Sequence, residues 1–276
     1  NEFNIFSRED TYSYYLILKP IYDATIGAIS NTIIIPTSNG IVDIITKEDG
    51  TKEYHLVRDV TITEFAEVTS WVYNAPIKLY TGDLFNGHGY TIDMEAITEW
   101  YGLFDLSESN SPEKLVNIKN IKIINAGKLK KEAGCIVQGY ISASSKPKNM
   151  YISNCWVNDL ETINNKNQSL NLGTAGIVGS FANGLIIIEN CNVTGVIGHS
   201  GGGIIGQKCF GDITISNCSF TGELHYSSGG IAGRQLGGPD ADNQETDHNS
   251  KIKISNCNTS ITTMWHFAGG IIGSNT

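Results

Sequence analysis

The densest run of side chains able to do chemistry lies between residues 234 and 248, where Arg234, Asp240, Asp242, Glu245, Asp247 and His248 fall close together. Carboxylates grouped in this way suit two tasks. They can hold Ca2+ through oxygen ligands, or they can act as paired acid and base at a glycosidic bond beside a basic group. The core of the run, "DADNQETD", lacks the central glycine and the terminal bidentate glutamate of an EF-hand loop, so its first reading is a solvated acidic loop. If the chain is an enzyme, Arg234, Asp240, Asp242 and Asp247 form the catalytic set and Ca2+ is the ion to expect. Otherwise no catalytic residue, metal or cofactor is expected.

Other motif types are weaker. The six histidines, His55, His88, His199, His225, His248 and His266, show no H-x-x-x-H or H-E-x-x-H spacing and read as surface or turn residues. "GHSGGG" at 198–203 is followed by neither the lysine nor the helix of a phosphate-binding loop. Of the four tryptophans, Trp156 is expected to point outward by strand alternation, where its ring could stack on a sugar. Trp265 falls in a connection, and Trp71 and Trp100 are equally compatible with core packing.

The elements that must position these residues announce themselves as a repeat. "MYISNCWVND" (150–159), "IIIENCNVTG" (186–195), "ITISNCSFTG" (213–222) and "IKISNCNTSI" (252–261) alternate strictly with "GCIVQG", "AGIVGS", "GGIIGQ", "GGIAGR" and "GGIIGS". Cys191 to Cys218, Ile177 to Ile204 and Ile204 to Ile231 are each 27 residues apart. A fixed period of this size marks a solenoid. Within each unit Ile213, Ile215 and Phe220 alternate with polar residues in short β-branched runs, which predicts strands. No unit holds enough residues of period 3.6 for a helix pair. The expected fold is therefore all-β, a right-handed parallel β-helix whose coils of about 27 residues stack roughly 4.8 Å apart.

On this reading Asn154, Asn190, Asn217 and Asn256 form a structural ladder at a bend, each amide bonding its counterpart one coil away and satisfying backbone that the bend leaves unpaired. Cys155, Cys191, Cys218 and Cys257 follow them as inward, reduced core thiols, because parallel side-chain vectors one coil apart do not favour a disulfide. The Gly-Gly pairs supply either positive φ or close coil-to-coil approach at another corner.

Residues 1–50 show no repeat, and Pro20 and Pro36 break any long helix. They are expected to form an irregular N-terminal cap or attachment segment of short strands, with the repeat domain spanning 51–276. Two stretches lengthen the repeat, 159–172 and 235–250, and loops leaving a rigid scaffold are where binding concentrates. The opening "NEFNIF" and the final "GGIIGSNT" suggest a piece of a longer or processed chain.

With 40% hydrophobic residues, 17% charged residues and a net charge of −9, the chain can bury a continuous core but carries no cluster of Lys and Arg able to track a phosphate backbone, so no nucleic-acid partner is expected. No apolar run is long enough to cross a bilayer as a helix, and no transmembrane segment is expected.

"LFNGHGYTIDMEAITEWYGLFD", followed by tandem "GGIIG" and I-x-I-S-N-C units, resembles the GLUG-type repeat family over roughly residues 54–276. That resemblance implies the pectin-lyase-like right-handed β-helix architecture, and a place in large surface, adhesive or virion-associated proteins. It carries over no catalytic residue. The expected function is a structural or attachment protein, either a minor capsid, vertex or fibre component of a virion or an extracellular cell-surface adhesin. Its partners would be proteins of a larger assembly or surface glycans, with a homo-oligomer among the possibilities. The alternative is a carbohydrate-active enzyme, a polysaccharide lyase or hydrolase using the 234–248 cluster.

Overall fold

The computed structural model describes residues 18–23, 28–33, 37–38, 40–69, 71, 76–106, 114–139, 147–161, 173–237 and 250–274. The described chain is all-β, built on parallel sheets, with one seven-residue helix, Ile62–Val68. That helix begins where Thr61 caps it, its hydroxyl accepting from Glu64 N–H while the Glu64 carboxylate accepts from Thr61 N–H.

Three rows of strand pairing run through the repeats. In the first, Lys52–Leu56, Leu84–Asn86, Val116–Lys119, Met150–Ser153, Asn183–Glu189, Phe210–Ser216 and Lys251–Ser255 pair in parallel succession. In the second, Val60–Thr61, Thr91–Asp93, Lys122–Ile124, Trp156–Glu161, Asn192–Ile197, Ser219–Leu224 and Asn258–Met264 do the same. The third is a row of short parallel bridges that joins Gly134 to Ala175, Gly202, Gly229 and Gly269, and Val137 to Val178, Ile205, Ala232 and Ile272. Each sequence phrase thus pairs with its own copy in the next repeat. The side-chain period of two then places Ile213, Ile215 and Phe220 wholly in the core, each contributing about 1.5–3 kcal/mol by leaving water.

The chain turns between rows at left-handed residues. One repeat turns at Asn190, Ser200 and Lys208, and the next at Asn217, Ser227 and Gln235, all with φ between 52° and 60°. This region costs most side chains about 1–2 kcal/mol and costs asparagine less, which gives the asparagine of the first phrase its reason. The Gly-Gly pairs resolve differently. Positive φ falls at Ser200 and Ser227, two residues before them, and the glycines are required by proximity. A Cβ on Gly203 would land on the Gly230 carbonyl oxygen and 2.7 Å from Phe220 Cγ.

Toward the N-terminus the first sheet changes character. Val42–Thr46 pairs antiparallel with Lys52–Leu56, and Thr37–Ser38 pairs antiparallel with Val42–Thr46. Leu18–Asp23 and Ala28–Ile33 form a separate antiparallel pair. The boundary expected at 50/51 therefore falls in a hairpin turn, and the antiparallel strands extend a sheet that the parallel repeats continue. Among the described residues, no helix is long and apolar enough to cross a membrane.

Candidate functional site

Trp156 opens a strand of the second row and is 40% exposed, while the next residue, Val157, is fully buried. Register sets Lys122 and Asn192 on either side of it, followed by Ser219 and Asn258. The Ser219 hydroxyl donates to Asn192 Oδ1 at 2.5 Å. The row is a polar outward face carrying one large apolar ring, with a cation and an amide within one strand spacing. Trp71 and Trp100 are core residues, their indole N–H groups donating to the carbonyls of Gly102 and Ala126 at 3.1 and 3.0 Å. Trp265 is exposed.

Of the acidic cluster, Arg234 is half-buried at a repeat corner, where its backbone N–H donates to Ser200 O and its carbonyl accepts from Lys208 N–H. Asp240, Asp242, Asp247 and His248 lie outside the described residues, as do positions 162–172 of the other insertion. Across both insertions the first row keeps its register, while the second row shifts between Val157 and Leu160 and between Gly222 and Glu223. Asp212 pairs with Lys251 and Ile213 with Ile252 across the second one.

Of the four asparagines expected to form the ladder, Asn154 makes an amide bond, and it runs to an earlier repeat: Asn154 Nδ2 donates to Asn120 Oδ1 at 3.2 Å and Asn120 Nδ2 to Asn86 Oδ1 at 2.9 Å. The backbone of the bend needs no amide to satisfy it. Asn154, Asn190 and Asn217 N–H groups donate to Glu189, Ser216 and Ser255 carbonyls of the following repeat, and Ser219 N–H donates back to Cys191 O. Cys155, Cys191 and Cys218 are buried, Cys257 is partly so, and all are free thiols. Each donates to the carbonyl two residues earlier at 3.2–3.3 Å. Burial pushes the Cys191 thiol well above its ordinary range and raises Cys257, while the hydrogen bond with Cys191 draws the Cys218 thiol down.

Two groupings escaped sequence reasoning. At the corner before the Gly-Gly pairs, His199 stacks on Tyr226 at 5.1 Å, Tyr226 meets Phe267 edge-on, and His225 stacks on Trp265 at 4.8 Å. Burial pulls both histidines down, aided at His199 by Arg234 and opposed at His225 by Glu223. The signal was available in "GHSGG", "HYSSGG" and "WHFAGG", which place rings at matching repeat positions.

The second grouping joins His55, on Lys52–Leu56, to His88, in the turn after Leu84–Asn86. His55 Nδ1 and His88 Nε2 are 2.8 Å apart, and His55 Nε2 is 3.4 Å from Glu53 Oε2. Burial, with the neighbouring His55 and Lys119, holds His88 below its usual range. The pair is separated by 33 residues, one repeat plus a shift of two, so no local spacing reveals it. Among the described residues, no group of three or more His, Cys, Asp or Glu is placed to hold a metal ion.

No family model matches the chain, and neither a curated protein nor a solved structure is detectably similar to it.

Proposed function

We propose that the repeats wind as a right-handed parallel β-helix of the GLUG type, and that this rod is a non-enzymatic structural or attachment protein presenting its loops and the Trp156 face to protein or glycan partners. A virion or a cell surface is the setting such a rod fits. The hand follows from the general preference of parallel crossover connections. The observation that carries the reading is where the distinctive residues are used. Asparagine, cysteine and glycine of both phrases are engaged in repeat-to-repeat bonds or close backbone contact, while the exposed row around Trp156 is polar and mixed.

The test is to incubate the purified chain with neutral and acidic polysaccharides, with Ca2+ or with chelator, and to look for shortened oligosaccharides by mass spectrometry. No products are expected. Products lost on chelation and in Asp242→Ala would overturn the scaffold reading in favour of a polysaccharide lyase or hydrolase.

A further inference from the structure

We infer that His55 and His88 form a two-ligand site for a borderline divalent metal ion such as Zn2+ or Ni2+, clipping the first parallel pair of strands together. Imidazole nitrogen suits these ions. Two nitrogens each about 2.0–2.1 Å from one ion stand roughly 2.9 Å apart at a right angle and 3.3 Å apart at a tetrahedral one. The observed 2.8 Å between His55 Nδ1 and His88 Nε2 therefore needs an opening of at most about half an ångström for an ion to replace the shared proton.

The surroundings prepare both rings. Glu53 faces His55 Nε2, which keeps the proton on that nitrogen and leaves the Nδ1 lone pair directed at His88, as a carboxylate does behind a metal-bound histidine. His88 is held in the left-handed conformation, φ 53°, and its N–H donates to Asn86 Oδ1 at 3.0 Å, an oxygen that also accepts from Asn120. Asp43 lies directly opposite His55 in the antiparallel register, hence on the same face. Its Oδ1 is buried and has no hydrogen-bond partner among the described residues, which leaves an acceptor oxygen on the face that His55 shares. Against the ion stands Lys119, whose charge is felt at His88. Lys47 is committed to Glu53 at 2.6 Å. With no third side chain in place, solvent completes the coordination shell and exchange with bulk metal is open.

The experiment titrates the whole untagged chain with Ni2+, which avoids copper-driven thiol oxidation, and reads heat by calorimetry and paramagnetic broadening of the histidine ring resonances by NMR. One Ni2+ per chain is expected, broadening His55 and His88 first. His55→Ala and His88→Asn, the latter retaining a residue at ease in the left-handed backbone, should abolish it. Glu53→Gln should weaken it about tenfold, while His199→Ala and His225→Ala should leave it unchanged. Absence of saturable binding, binding untouched by His88→Asn, or broadening centred on His199 or His225 would overturn the site.

Discussion

The repeat formed by residues 210–237 and the last described one, 250–274, carry equivalent residues in one register, yet they differ in burial. Ile213, Leu224 and Ala232 are fully buried, whereas their partners Ile252, Met264 and Ile272 are 37%, 50% and 46% exposed. Apolar character is shared and the first row keeps one register, so the difference comes from what lies on the far side. A repeat here buries its apolar row only when both neighbours are stacked against it.

Paired substitutions can break or sharpen that contrast. The largest effect should come from the core. Ile213→Ala leaves a cavity and should cost about 2–5 kcal/mol, while Ile252→Ala should cost well under half as much; urea denaturation of the two variants decides this, and equal losses would contradict the neighbour account. Next comes Gly203→Ala, whose Cβ meets the Gly230 carbonyl and the Phe220 ring, for about 1–3 kcal/mol of overpacking. Gly270→Ala finds nothing nearer than Thr259 Oγ1 at 3.7 Å and should be tolerated in the same assay.

The asparagine bends cut the other way. Asn217 and Asn256 have φ of 53° and 52°, a local property, so alanine should cost about 1–2 kcal/mol at both and glycine should restore most of it. A loss confined to Asn217 would show that stacking, and not backbone conformation, selects asparagine there.

At neutral pH the smallest effect is that of a buried thiol, which tells only in alkali. Burial raises the Cys209 thiol from 9.0 to about 12. The unfolded chain thus gives up this proton first, and above pH 9 it binds fewer protons than the folded one. Stability should be intact below pH 9 and fall by about 1.4 kcal/mol per pH unit from this group as pH rises toward 12. Cys209→Ala should flatten that slope, and iodoacetamide at pH 8 should label the partly exposed Cys257 ahead of Cys209.

What could be read from the sequence was whatever the 27-residue spacing makes periodic. The strand pairing follows from Ile213 and Ile252 occupying one phrase, the inward thiols from Cys191 and Cys218, and the outward Trp156 from alternation. The reason for the Gly-Gly pairs was not legible, because steric need at Gly203 depends on a carbonyl 27 residues away, and the left-handed turn belongs to Ser200, which no propensity singles out. The antiparallel hairpin across residue 50 was hidden because register, not composition, decides whether a strand runs with its neighbour or against it. His55 and His88 meet because the turn after Leu84–Asn86 brings His88, two positions past the register partner of His55, back beside it.

The unequal spacing between paired strands has its own bearing. Ile204 and Ile231, 27 residues apart, and Ile231 and Ile271, 40 apart, sit in the same third row. Loop-closure entropy grows as the logarithm of length, so the longer excursion costs only about 0.3–0.4 kcal/mol more. A chain organised this way can lengthen a connection almost without thermodynamic consequence. It offers evolution, or an engineer grafting a foreign domain between Gly237 and Ser250, a socket whose contents the rest of the molecule scarcely registers.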